Sequence, residues 1–219
     1  MAAEVLMPSL RVAYIDTETT GLSPRSDRII EIAIVLAEVD WETGAILQHL
    51  DQYDALQDPG RRIPPEAMAV HGITDTMVRG QRIDSRRADD LLSAADICLA
   101  HNSGFDKGFV AQVLPEVLGH TWGCTCRGIP WKKLYPAIGT TSLQGLSRFF
   151  RCSRGTAHRA LGDVETTMNL VTLPGLQGRV AVHVRLCRSV RSSTQGGSRK
   201  LRSSWSRRSP TWPRRNSML

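Results

Sequence analysis

Tyr14-Ile15-Asp16-Thr17-Glu18-Thr19-Thr20-Gly21-Leu22 is the stretch around which the chain is organised. An apolar run, Val12 to Ile15, leads into two carboxylates, Asp16 and Glu18, two residues apart. In a strand, residues i and i+2 project to the same face, so both acids look one way where a buried strand gives out. Two like charges so placed repel each other and resist desolvation unless a cation lies between them. By themselves they fit a metal site or a pair of solvated surface acids. The Thr19-Thr20-Gly21 step that follows has the composition of a tight turn.

On either side the pattern is that of a sheet. Arg28 to Val39 is rich in Ile and Val and reads as a second strand, and Ala45 to Tyr53 as a third across a turn at Asp40 to Gly44. Three strands on short turns predict an antiparallel meander. Beyond a loop at Asp58 to Pro65, Pro64-Pro65-Glu66 starts a short helix, and Asp75 to Val78 a further helical turn. Asp84 to Ala95 carries apolar residues at helical spacing. Ile97 to Ala100 is a short buried strand, and Ser103 to Leu114 a helix after it, an order that predicts a parallel strand. Thr121 to Cys126 reads as a weak strand, and Ile129 to Leu134 and Ser142 to Phe150 as helices. Ala157 to Leu173 is the last periodic segment, stopped by Pro174-Gly175. The expected class is α/β, with a mixed sheet flanked by helices.

The net charge of +7 is unevenly distributed. Residues 1–175 hold 17 Lys and Arg against 21 Asp and Glu, a balance of −4, while residues 176–219 hold 11 basic residues and no acid. The basic character therefore belongs to the tail and does not indicate what the domain binds. The tail's ten arginines and nine serines cannot build a core, so it is expected to be disordered, as a nucleic-acid-binding arm or as an aberrant C-terminus. Five cysteines without a Cys-x-x-Cys pair read as reduced thiols. Met1 to Leu10 lacks the pattern of a signal peptide, and no run approaches 18 apolar residues. The expectation is a cytoplasmic protein with no membrane partner.

Two later segments carry chemistry. His101-Asn102-Ser103-Gly104-Phe105-Asp106 opens the helix after the buried strand, placing Asp106 in its first turn. His158-Arg159-Ala160-Leu161-Gly162-Asp163 opens the last helix. Five residues apart, His158 and Asp163 would diverge on one regular helix; with His158 on a loop they converge. Taken singly, Asp106 reads as a helix-start acid, His158 as a surface or capping histidine, and Asp163 as a solvated helix residue.

Taken together, these residues resemble the DEDD superfamily of 3′→5′ exonucleases in its histidine-bearing, DnaQ-like branch. The match runs through Asp16-Thr17-Glu18, Asn102 to Asp106 and His158 to Asp163. Ile63-Pro64-Pro65-Glu66-Ala67 and Val70-His71-Gly72-Ile73-Thr74 are similar to the epsilon proofreading subunit of bacterial DNA polymerase III. The resemblance covers residues 11–173. It implies a ribonuclease H-like fold, an exonuclease domain over residues 1–175, and hydrolysis of single-stranded or frayed DNA from its 3′ end, releasing 5′-mononucleotides. An RNA-trimming, oligoribonuclease-like enzyme and a non-catalytic binding subunit are the alternatives.

The resemblance further implies that Asp16, Glu18, Asp106 and Asp163 hold two divalent cations, and oxygen-only ligands favour Mg²⁺ or Mn²⁺. His158 is implied to be the general base, since imidazole titrates near neutrality. Thr17, Thr19, Thr20, Gly21 and Leu22 are implied to seat the terminal nucleotide, with Leu22 as a wedge and Asn102 and Phe105 lining the groove. The implied partners are single-stranded DNA or RNA 3′ ends and a DNA polymerase subunit. One departure stands out: after only ten further residues beyond Asp163 the helix pattern meets Pro174-Gly175, which leaves less packing to hold that aspartate.

Overall fold

The computed structural model of the chain describes residues 9–173. The basic tail expected over residues 176–219, the stop at Pro174-Gly175 and most of the N-terminal stretch lie outside the described residues. The first strand, β1, runs Ser9–Thr19 and continues straight through both acids, longer than the apolar run alone predicts. The predicted meander follows as β2 (Ile29–Asp40) and β3 (Ile46–Leu56), both antiparallel to their predecessors. Three helices come next: α1 (Pro65–His71), α2 (Asp75–Val78) and α3 (Ser85–Ser93). Asp84 caps α3 by accepting from the Arg87 N–H.

The chain then enters β4 (Ile97–Ala100), parallel to β1, and α4 (Ser103–Val110). A 3-10 turn at Pro115–Gly119 leads into β5 (Trp122–Cys124), parallel to β4. The stretch after β5 that reads as strand in the sequence is instead α5 (Thr125–Gly128), followed by α6 (Trp131–Leu134), α7 (Leu143–Phe150) and α8 (Ala160–Val171). The strand order is β3-β2-β1-β4-β5, the mixed sheet that the resemblance implies.

The alternation of β1 distributes its side chains between two cores. Val12 and Tyr14, with Ala33 and Val35 of β2, pack beneath α7 and α8 against Leu146, Val164 and Met168. Ala13 and Ile15, with Ile32 and Ile34, pack on the other face against Leu91 and Leu92 of α3 and Phe109 and Val110 of α4. β1 is thus covered on both faces, as an inner strand of a mixed sheet must be.

β4 is short, and its pairing with β1 stops at Tyr14–Leu99. From Ile15 onward no strand among the described residues lies beside that edge of β1, although β2 still accompanies it on the other edge through Thr19. The sheet therefore opens at the C-terminal ends of β1 and β4, where the strand order changes direction. In open α/β sheets such an opening is where ligands bind.

Candidate active site

Asp16 and Glu18 continue the face of Val12 and Tyr14 and point towards α8. Thr17 belongs to the opposite face, where its hydroxyl donates to Asp106 Oδ1 over 3.0 Å. Asp106 stands on the first turn of α4 and is buried. Asp163 stands on the first turn of α8, also buried, and accepts from Gln144 Nε2 of α7 at 2.9 Å. His158 precedes α8 on a loop, with φ of 58°. That left-handed backbone turns its side chain away from the helical register and back towards the strand, as the convergence of the two residues requires.

One oxygen of Glu18, one of Asp163 and a ring nitrogen of His158 lie within 4.8 Å of one another. Asp16, Asp106, His158 and Asp163 line a common cleft of about 450 Å³. All five residues implied by the resemblance therefore meet at the opening of the sheet. Asn102, exposed at the N-cap of α4, and Phe105, packed at a tilt against Phe109 with ring centroids 4.8 Å apart, form another part of its wall.

The electrostatics are those of a cation site. Burial pushes the Asp16 carboxyl well above the usual range, and Asp106, Asp163, Glu18 and Glu31 add to the effect. Burial, with Asp163, Glu31 and Asp106 adding and Arg159 opposing, raises Glu18 to about 8. Burial raises Asp106 to about 7 despite the Thr17 hydrogen bond. Asp163 is raised by burial too, with His158 and Gln144 opposing. Four carboxyl groups that resist ionisation together fit divalent cations: the added positive charge removes the conflict, and oxygen donors suit Mg²⁺ or Mn²⁺.

The Thr19 to Leu22 turn is held by a bond within it and by bonds to Arg28 and Arg61. Thr19 Oγ1 donates to the Gly21 carbonyl at 2.6 Å. Thr20 Oγ1 accepts from the Arg28 N–H and from Arg61, each at 2.9 Å. A side chain at Gly21 would meet the Asp27 carboxylate at 2.6 Å, so this close approach needs glycine. Leu22 is 86% exposed, an apolar side chain held out into solvent beside the site.

Several neighbours escape a reading of the sequence. Glu31 lies opposite Glu18 in the β1–β2 register, 1% exposed, and binds Arg159 and the Ala160 N–H. Its signal was present: a single acid inside Ile29-Ile30-Glu31-Ile32-Ala33-Ile34. His71, buried at the end of α1, accepts from the Ile73 N–H through Nδ1, which leaves the proton on Nε2. The ring faces the Thr19 backbone, which favours its protonated form against the opposing effect of burial. Gln144 and Arg148 reach the cleft from α7, and nothing in their local sequence marks them. His101 lines the cleft but is tied to Thr125 Oγ1 and the Thr141 carbonyl at 2.9 and 2.8 Å, which makes it a structural residue.

The exonuclease family model matches residues 13–171, which takes in every one of these side chains. The chain belongs to the exonuclease family. The exonuclease domain is 34% identical over 163 residues to DNA polymerase III PolC-type of Listeria monocytogenes, covering 71% of this chain and 10% of that protein. It is 31% identical over 169 residues to the DNA polymerase III subunit epsilon of Treponema pallidum, covering 72% and 73%. The chain thus spans about a tenth of the PolC-type relatives and about three quarters of the epsilon subunit.

Among solved structures, exonuclease X in complex with 5′ overhanging duplex DNA aligns at 29% identity and a TM-score of 0.54, over 78% of this chain and 98% of that one. Exonuclease I of E. coli in complex with a dT13 oligonucleotide aligns at 17% identity and 0.62, over 78% and 42%, a likeness of fold. Among the described residues no helix is long and apolar enough to cross a membrane.

Proposed function

We propose that the chain is a metal-dependent 3′→5′ exonuclease acting on single-stranded or frayed DNA ends. The observation that carries this is the convergence of Asp16, Glu18, Asp106, Asp163 and His158 where the sheet opens, three of them within 4.8 Å. The four carboxylates are the residues that would hold two Mg²⁺ or Mn²⁺ ions. Such ions, when bound, acidify a water and stabilise the leaving 3′ oxygen.

The chain's own groups account for the rest. His158 stands on the rim beside Glu18 and Asp163, where its imidazole can take the proton of the attacking water. Asp163, held by Gln144, is fixed on a helix and does not follow the His158 loop. Thr17 keeps the Asp106 carboxylate aimed across the end of β1. Leu22, exposed beyond the Gly21 turn, is placed to wedge against the terminal base, and Asn102 and Phe105 form the groove that the preceding nucleotide would enter. Without cations the acids would repel a phosphodiester, so metals serve substrate binding as well as chemistry.

Proofreading beside a DNA polymerase is supported by the names of the PolC-type and epsilon relatives. Exonuclease X bound to DNA supports a DNA end as the substrate. The test is release of 5′-mononucleotides from a labelled single-stranded oligonucleotide with Mg²⁺, run beside a matched RNA. Activity that survives Asp16→Ala would overturn the proposal; faster hydrolysis of the RNA would overturn its substrate.

A further inference from the structure

We infer that Glu31 and Arg159 form a positioning brace that sets the location of His158, and so act on the hydrolytic step without touching substrate. The inference rests on the reading of His158 as the base. Glu31 projects from the middle of β2 on the α8 face, directly across from Glu18. One carboxylate binds two consecutive residues of the segment after His158. Arg159 donates through Nε at 3.0 and 3.2 Å and through Nη2, and the Ala160 N–H donates at 2.9 Å. Ala160 is the first residue of α8, and Arg159, its N-cap, offers no side-chain bond to the helix amides. Glu31 therefore does the work of a cap from a strand 129 residues away in sequence.

This arrangement is costly unless position matters. A carboxylate 1% exposed beside Asp16 and Glu18 raises the free energy of charging both. An apolar side chain would suit the strand, whose other residues at positions 29 to 36 are all apolar. What the ion pair supplies is direction, since a two-pronged guanidinium–carboxylate contact fixes angle as well as distance.

Three further contacts hold the same loop. Arg154 N–H donates to Thr166 Oγ1, which donates back to the Arg154 carbonyl, both at 3.0 Å. A side chain at Gly162 would meet the Thr156 carbonyl at 2.3 Å, so loop and helix touch backbone to backbone. Between these supports sits His158, in a left-handed conformation that is uncommon for a residue with a side chain.

The test compares Glu31→Gln, Arg159→Lys and the double variant Glu31→Met/Arg159→Leu with the unaltered chain. The double variant leaves no unpaired buried charge, which removes the main cost that either single deletion would carry. kcat and KM are measured on a single-stranded oligonucleotide with Mg²⁺, and hydrogen exchange of the Ala160 amide is followed without metal. The expected result for the double variant is KM within about threefold, kcat lower by about tenfold or more, and faster Ala160 exchange, because displacement of a catalytic group by about 1 Å is enough for such a loss. Glu31→Gln, which keeps one acceptor for the Ala160 N–H but loses the two-pronged pair, and Arg159→Lys, which loses the fork, should both fall between the unaltered chain and the double variant in kcat. A double variant with unaltered kcat, while His158→Ala is inactive, overturns the brace. Full activity in His158→Ala removes the base reading itself, and the brace with it. Should the double variant unfold, an unaltered kcat in Arg159→Lys overturns the inference in the same way.

Discussion

The Thr17 hydroxyl donates to Asp106 across 3.0 Å, joining the middle residue of the Asp16-Thr17-Glu18 stretch to a carboxylate 89 positions later. Asp16 and Glu18 serve the site from one face of β1; Thr17 serves it from the other by holding Asp106. Thr17→Val keeps the shape and removes the donor. Partners that orient metal-ligating groups typically contribute about 10- to 100-fold in metal affinity. Mg²⁺ titration of activity should show a rise of that order in the concentration needed, with the melting temperature lowered by about 1 kcal/mol worth of stability.

Stability of the metal-free protein should fall as pH rises. Glu18 is raised from 4.5 to about 8 in the folded chain, and Asp106 from 3.8 to about 7. Folding thus takes up protons in the window between the unfolded and folded values. The contribution of these groups is fully present below about pH 4 and lost as pH passes through 7 to 8. Added Mg²⁺ should reverse the trend, stabilising most at the high end, because the ion replaces the protons. Thermal melts at pH 5.5 and 8.5, with and without Mg²⁺, check both signs; a metal-free protein more stable at 8.5 would contradict them.

Asp16→Asn should separate stability from activity. Burial, and then repulsion from Asp106, Asp163 and Glu18, holds the Asp16 carboxyl well above its ordinary range. Its neutral isostere should raise the metal-free melting temperature at pH 8 while abolishing hydrolysis. A variant both inactive and destabilised would mean that the repulsion is already relieved by some other contact.

Arg148 is an exposed cation lining the cleft that also holds Asp16, Asp106 and Asp163. Arg148→Ala should raise KM with little change in kcat. It should also reduce the slope of log affinity against log salt by about 0.7, as expected for one lost contact to a single-stranded phosphate backbone.

Gly162→Ala forces a Cβ onto the Thr156 carbonyl at 2.3 Å. Either helix or loop must give way, costing about 1–3 kcal/mol, the range for overpacking. Because the loop carries His158, kcat should fall more than substrate affinity does. Chemical denaturation and steady-state kinetics together report the two effects.

Much of the fold was legible in order and type. Arg28 to Val39 announces a buried strand by composition, and Ile97 to Ala100 followed by Ser103 announces the parallel unit. The miss after β5 has a plain cause. Thr125 to Gly128 is too short for any helical period, and its turn is stabilised by non-local bonds such as Trp131 Nε1 to the Thr125 carbonyl at 2.8 Å and the Cys126 N–H to the His101 carbonyl at 2.7 Å. β1 extends past its apolar run because β2 goes on pairing with it, and an acid-bearing segment becomes strand through its partner rather than through its own propensity.

By itself, the sequence determined which residues are the candidates for the chemistry. Alternation puts Asp16 and Glu18 on one face, and a helix start follows Asn102 and again follows His158. These are local consequences of backbone period and helix initiation, so a chain read in order yields them. The tertiary structure alone decided how they meet. β4 stops at Leu99 and leaves the end of β1 open; Asp106 arrives from one face of the sheet and Asp163 from the other. Gln144, Arg148 and Glu31 take their places only because α7 and α8 pack across β1 and β2. Contacts between residues 19 to 129 positions apart depend on how elements pack, and neither residue of such a pair encodes the other in its local sequence.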